Sequence, residues 1–149
     1  MGRLEEDIKR FSRIAIDTNA FIYLMEKHPI YFDVVRELFN AVEIGKVYAV
    51  SSVLLITEVL TKPLKDGNKG LADRYLAFVS TFPNLGLREI DQNVSLKAAK
   101  LRARYGFKTP DALFLATAIE EKAEAFITND VRLQGIETLE IMLLNDFVK

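Results

Sequence analysis

Five short apolar runs alternate along this chain with longer stretches whose apolar residues recur at helical spacing. No other feature restricts the fold as much. The runs are Arg13 to Asp17, Val47 to Ser51, Leu85 to Ile90, Ala125 to Thr128 and Thr138 to Leu143. Asn19 to Glu26 reads as a helix that Pro29 stops, and Ile30 to Ile44 as a helix closed by Gly45. The second of these carries Phe32, Val35, Leu38, Phe39 and Val42 on one face. Ser52 is placed to cap a helix over Val53 to Thr61, and the polar stretch Lys62 to Gly70 reads as a loop. Helices follow over Leu71 to Phe82 and Gln92 to Tyr105, the latter ended by Gly106. Thr109-Pro110-Asp111 then opens another, with a cap ahead of proline. Strands separated by helices cannot pair through tight hairpins, so they pair in parallel and their sheet is covered on both faces. The expected class is α/β: three layers, with a central parallel sheet of four to five strands flanked by helices. Ligands of such sheets collect at the carboxyl ends of the strands.

The chain has 149 residues, which suits a single domain spanning 1–149 that buries roughly 70% of its unfolded surface. Leu4, Ile8 and Phe11 suggest an amphipathic N-terminal helix within an extension over residues 1–12. The absence of cysteine excludes disulfides, zinc–thiolate sites and cysteine nucleophiles, and agrees with a reducing cytoplasm. The start, MGRLEEDIKRFSR, lacks the apolar segment of a secretory signal, and no apolar run approaches the roughly 20 residues of a membrane span. A cytoplasmic protein without a membrane partner is expected. Net charge is −1, so no global bias favours a polyanion. Locally the picture differs. Between Asp91 and Asp111 there is no acid, and that window holds Lys97, Lys100, Arg102, Arg104 and Lys108. These form either a phosphate-binding ridge or an ordinary solvated helix face.

Four acids, Asp17, Glu58, Asp111 and Asp130, sit where a strand or turn hands over to a helix. Each has a structural explanation: Asp17 and Asp130 as helix caps, Asp111 in a first helical turn, Glu58 as an exposed helix residue. Their surroundings suggest more. Glu58 lies in LLITEVL, whose apolar neighbours predict burial, and a lone buried carboxylate is costly unless a cation or donor compensates it. Thr18 and Asn19 follow Asp17, and Thr128 and Asn129 precede Asp130, so each end is placed to orient a carboxylate or a water. Carboxylates brought together repel, and a hard oxygen-seeking cation such as Mg²⁺ or Mn²⁺ relieves that repulsion. Such a site would suit metal-assisted cleavage of a phosphodiester.

The strings Asp17-Thr18-Asn19, Glu58 in the helix after the second strand, Pro110-Asp111-Ala112 and Thr128-Asn129-Asp130 occur in an order that resembles the PIN-domain ribonucleases, the VapC-type toxins of toxin–antitoxin pairs in particular. Ala116-Thr117-Ala118 and Tyr105-Gly106 also fit, and the likeness runs from about Ile14 to Phe147. It implies a PIN-like fold and a Mg²⁺- or Mn²⁺-dependent endoribonuclease hydrolysing phosphodiester bonds in RNA. Asp17, Glu58 and Asp111 would ligate one or two cations, with Asp130 ligating or holding a bound water. Thr18, Asn19, Thr128 and Asn129 would support them. A homodimer and a cognate antitoxin would be partners, with the apolar helices Ile30 to Ile44 and Val53 to Leu64 as candidate surfaces. The extension before the first strand is longer than is usual in that family. Val131 and Arg132, after the fourth acid, carry no signal.

For substrate phosphates the expected contacts are Arg102, Arg104 and Lys108, with Lys62 and Lys65 as a second group. The only histidine, His28, lies in a turn and is not expected to act in catalysis. Phe21, Phe32, Phe39, Phe78, Phe114 and Phe126 fall on apolar faces and belong to the core by pattern, whereas Tyr23 and Tyr31 stay open. An RNA-processing nuclease outside a toxin pair, a non-catalytic RNA-binding module and an aspartyl-phosphate acceptor remain alternatives. The last needs a second acid next to Asp17 or a lysine in a specific place, and Asp17-Thr18-Asn19 offers no such neighbour.

Overall fold

Apolar residues recurring every second or every third to fourth position set the element boundaries of the computed structural model, which describes residues 4–148. The chain runs α1 (Leu4–Ile8), β1 (Arg13–Ile16), α2 (Thr18–Met25), α3 (Phe32–Glu43), β2 (Tyr48–Ser52), α4 (Leu54–Lys65), α5 (Lys69–Thr81), β3 (Leu85–Arg88), α6 (Gln92–Tyr105), α7 (Thr109–Glu120), β4 (Ala125–Thr128) and β5 (Glu140–Leu143). Two 3-10 turns, Val131–Leu133 and Leu144–Phe147, follow β4 and β5. Residues 1–3 of the expected extension lie outside the described residues. Within it, α1 sends Leu4 and Ile8 into the core.

All five strands pair in parallel in the order β3-β2-β1-β4-β5, so the α/β architecture with a central parallel sheet is borne out. From β1 the chain steps outward through β2 to β3, then returns to the other side of β1 to place β4 and β5. The order therefore reverses between β1 and β4, and the crevice outside their carboxyl ends is where such sheets bind ligands. Ile16 pairs with Ile127 there, and the Asp17 N–H donates to the Ile127 carbonyl at 2.9 Å. The four residues of β4 are all buried, as expected of a strand covered on both faces.

Helices cover the sheet and hold its register. α7 packs on β2 and β4, with α6 against it; α2 packs on β4 and α5 on β3. Phe21, Phe39, Phe78 and Phe82 meet edge-on or tilted, their ring centroids 4.6 to 6.1 Å apart. Of the six phenylalanines assigned to the core, Phe21, Phe39, Phe114 and Phe126 are buried and Phe32 and Phe78 half-buried.

Some boundaries depart from the pattern. The polar stretch Lys62 to Gly70 is mostly helical, because α4 runs on to Lys65 and α5 begins at Lys69. Pro63 is tolerated in the last turn of α4, where its ring is buried, and Asn68 caps α5 by accepting the Leu71 N–H at 3.1 Å. Only Asp66, Gly67 and Asn68 separate the two helices. At α4 the cap position is Val53, without a side-chain cap, rather than Ser52, which ends β2 and accepts the Leu54 N–H at 3.1 Å. Ahead of α7 the cap position is Lys108, without a side-chain cap, and Thr109 is the first helical residue.

Candidate active site

Each of the four acids is delivered by a different element. Asp17 closes β1 and caps α2; its Oδ1 accepts the Thr18 N–H at 2.8 Å. Asp111 lies in the first turn of α7. Asp130 follows β4 and caps a 3-10 turn by accepting the Arg132 N–H at 2.9 Å. Glu58 projects from α4. The capping roles read from sequence are real for Asp17 and Asp130, and they do not compete with a shared address. Asp17, Glu58, Asp111 and Asp130 line one cavity of about 330 Å³, together with Thr18, Asn19, Ile22, Phe114 and Arg132.

Thr128 ties two of these acids together. Its buried hydroxyl donates to Asp17 Oδ2 at 2.7 Å and accepts the Asp130 N–H at 3.1 Å. Thr18 contributes its N–H to Asp17, while its own hydroxyl is buried and finds no hydrogen-bond partner. Asn19 is exposed on the cavity wall. Asn129 turns away from the acids: its amide donates to the Tyr23 hydroxyl at 3.4 Å, and its carbonyl oxygen accepts the Asn145 N–H at 3.1 Å. Its hydrogen bonds thus tie the strand end to Tyr23 and Asn145 rather than orienting a carboxylate. Tyr23 itself stacks on Tyr31, ring centroids 4.8 Å apart.

The electrostatics are uneven. Burial pushes the Asp17 carboxyl above the usual range against the pull of its hydrogen bonds from Thr128 and Thr18, and the charges of Asp111 and Asp130 add to the rise. Burial also raises Asp111, against the opposing charges of Arg132 and Lys108. Asp130 moves the other way, lowered chiefly by its hydrogen bond from Arg132. Three acids thus share a charge problem that the protein only half resolves.

Glu58 differs from its expected setting. It is exposed, because Leu55, Val59 and Pro63 take the inner face of α4 at four-residue intervals and turn Glu58 towards the cavity rim. Glu58 is therefore not the buried carboxylate its neighbours predict, although it does line the cavity wall.

Arg132 is the residue that the sequence did not single out. Its Nε lies 2.9 Å and 3.2 Å from the two oxygens of Asp130, its Nη2 2.5 Å from Oδ2, and Asp111 Oδ2 is 3.6 Å away. A signal was available: a capping Asp accepts the N–H two residues on, which carries that residue's side chain back towards the carboxylate. Among the expected phosphate contacts, Lys108 is close enough for its charge to act on Asp111 and Asp130. Arg102 instead donates to the Phe107 carbonyl, and Arg104 pairs with Glu137. None of Arg102, Arg104, Lys108, Lys62 and Lys65 lines the acidic cavity.

The donor set of carboxylates, with a free hydroxyl beside them, suits a hard cation. Yet no three His, Cys, Asp or Glu side chains among the described residues converge as a ligand set. The contacts above explain why: Arg132 holds both oxygens of Asp130, Thr18 and Thr128 hold those of Asp17, and Glu58 stands out in solvent. Side-chain rotation would have to precede loading. Within that limit the residues fit a divalent metal.

A profile of the PIN domain matches residues 14–139. The chain belongs to the PIN-domain family. Its members are nucleases, and the acids at the switch point are this member's candidate nuclease site. No curated relative matches by sequence. Among solved structures, the chain resembles VapBC2 from Rickettsia felis, bound to a DNA fragment from the promoter, at 18% identity and a TM-score of 0.68 over 88% of this chain and 98% of that one. A toxin–antitoxin complex from Klebsiella pneumoniae aligns at 22% identity and TM-score 0.67, over 88% and 97%. DNA-bound VapBC from Salmonella typhimurium gives 19% and 0.67, over 89% and 98%. These likenesses establish the PIN-like fold. Among the described residues no helix is long and apolar enough to cross a membrane.

Proposed function

We propose that this PIN domain is an endoribonuclease that uses Mg²⁺ or Mn²⁺, and that it is the toxin of a toxin–antitoxin pair. One observation carries the reading: acids from four separate elements line one cavity at the point where the strand order reverses, and burial and mutual repulsion raise two of them. A divalent cation bound there would lower the pKa of a water and neutralise charge building on the scissile phosphate. Asp17, Glu58 and Asp111 are the residues to hold it, with Asp130 as a further ligand or a holder of water. Thr128 fixes the Asp17 carboxylate from behind, and the Thr18 N–H does so from the helix end. Lys108, beside the acids, is the cation best placed to draw in a phosphate backbone. The solved complexes that share the fold are toxin–antitoxin assemblies, which supports an antitoxin partner. Apolar side chains exposed at Ile44, Leu64 and Leu76 would serve it or a second copy of the chain.

The test is incubation of the purified protein with single-stranded RNA and Mg²⁺ or Mn²⁺, followed by sequencing of the RNA ends. Wild type should cut, and Asp17→Asn and Asp111→Asn should lose at least about 100-fold in rate, as should wild type in excess chelator. RNA binding without any metal-dependent cut would instead make the chain a non-catalytic RNA-binding module. Cutting that survives either substitution would misplace the site.

A further inference from the structure

Arg132 does nothing for the core. Its side chain is 59% exposed, and its polar contacts are with Asp130 and Asp111. Both Asp130 oxygens face its Nε, and Asp111, 3.6 Å away, is the nearer of the remaining acids. The guanidinium therefore spans one end of the cavity and neutralises it. At the other end Asp17 is held only by neutral donors, and Glu58 makes no ion pair among the described residues. A carboxylate cluster that lacks a metal needs some positive charge, and this chain supplies it from two residues beyond the last acid. The same fixed, planar fork that matches a carboxylate also matches a phosphate. The side chain stands at the cavity mouth, on a tether long enough to turn outward.

We propose that Arg132 is the internal counter-ion of the acid cluster, held on Asp130 and Asp111 in the metal-free protein and released to an RNA phosphate when a divalent cation takes those carboxylates. This rests on the reading that the acids bind such a cation. Metal and arginine then compete for the same oxygens, and substrate receives the arginine that metal displaces. The fold does not depend on the contact, so the residue can be changed without loss of structure.

Two measurements on wild type, Arg132→Gln and Arg132→Lys test it. The first is calorimetric titration with Mn²⁺ alone. Arg132→Gln should bind Mn²⁺ about threefold to fivefold more tightly, the worth of one exposed charge pair, with Arg132→Lys nearer wild type. The second is steady-state cleavage of single-stranded RNA at saturating Mn²⁺. There Arg132→Gln should raise KM roughly tenfold with kcat changed far less, and lysine should recover part of the loss. Equal or weaker Mn²⁺ binding by Arg132→Gln overturns the counter-ion role, and an unchanged KM overturns the transfer to phosphate. If wild type and both variants bind no Mn²⁺, the metal-site reading itself fails and takes this proposal with it.

Discussion

Replacing Thr128 by valine keeps shape and volume while removing one hydroxyl, which makes it a sharp probe of the acid cluster. That hydroxyl is fully buried, donates to Asp17 Oδ2 at 2.7 Å and accepts the Asp130 N–H at 3.1 Å. A hydrogen bond to a charged acceptor is worth about 1.5–3 kcal/mol and a neutral one about 1 kcal/mol, so Thr128→Val should cost about 2–4 kcal/mol at neutral pH. The pH dependence gives the stronger test. The Asp17 carboxyl already lies above its usual range, because burial outweighs the hydrogen bonds that pull it down. Losing the Thr128 bond moves it further up. An acid whose pKa is raised by folding contributes stability that is present at low pH and lost as pH rises through the folded value. The variant's deficit should therefore be full at pH 7.5 and shrink to about 1 kcal/mol near pH 4, close to the ordinary aspartate value of about 3.9. Urea unfolding in chelator, followed by circular dichroism at both pH values, measures this directly. Thr128→Ser, which restores the hydroxyl, should recover most of the loss. A deficit of equal size at both pH values, or one below about 0.5 kcal/mol at pH 7.5, would mean that Thr128 does not hold the ionised Asp17 carboxylate.

Two further expectations follow from the same geometry. Lys108→Glu should weaken RNA binding and lower the slope of log affinity against log salt by about 1, whereas Arg104→Glu, whose partner is Glu137, should leave the slope unchanged; filter binding over a salt series separates them. In the core, Phe126→Ala removes a buried ring from the strand that carries Thr128 and should cost about 3–5 kcal/mol in urea unfolding.

Much of the architecture was readable before any coordinates, because it rests on local periodicity. Alternating strand and helix signals sufficed for a parallel sheet, and Gly106 ends α6 in the left-handed conformation that its place after Tyr105 predicts. The stretch Lys62 to Gly70 departs from its polar composition, which reads as a loop: α4 continues to Lys65 with Pro63 buried in its last turn. Glu58 departs from its local pattern for a related reason. Apolar neighbours in sequence do not bury a helical residue unless it shares their face, and Leu55 and Val59 lie on a different one.

The four acids show where that local reading stops. Sequence alone determined their identities, the places of Asp17, Asp111 and Asp130 at strand ends or a helix start, and the oxygen-rich neighbours of the first and last. Tertiary structure decided that they share one cavity, because only the return of the chain across β1 sets Asp17 and Asp130 side by side at the switch point. It also decided their charge states, which depend on burial and, for Asp17, on Asp111, Thr128 and Asp130, 94 or more positions away. Arg132 straddles the two: its contact with Asp130, two residues away, is local, whereas its reach to Asp111 is tertiary. In the sequence it is one basic residue among 20, and its meaning comes from a turn that folds its guanidinium back onto Asp130 and within reach of Asp111. Periodicity is a property of neighbours along the chain, whereas electrostatics is a property of neighbours in space.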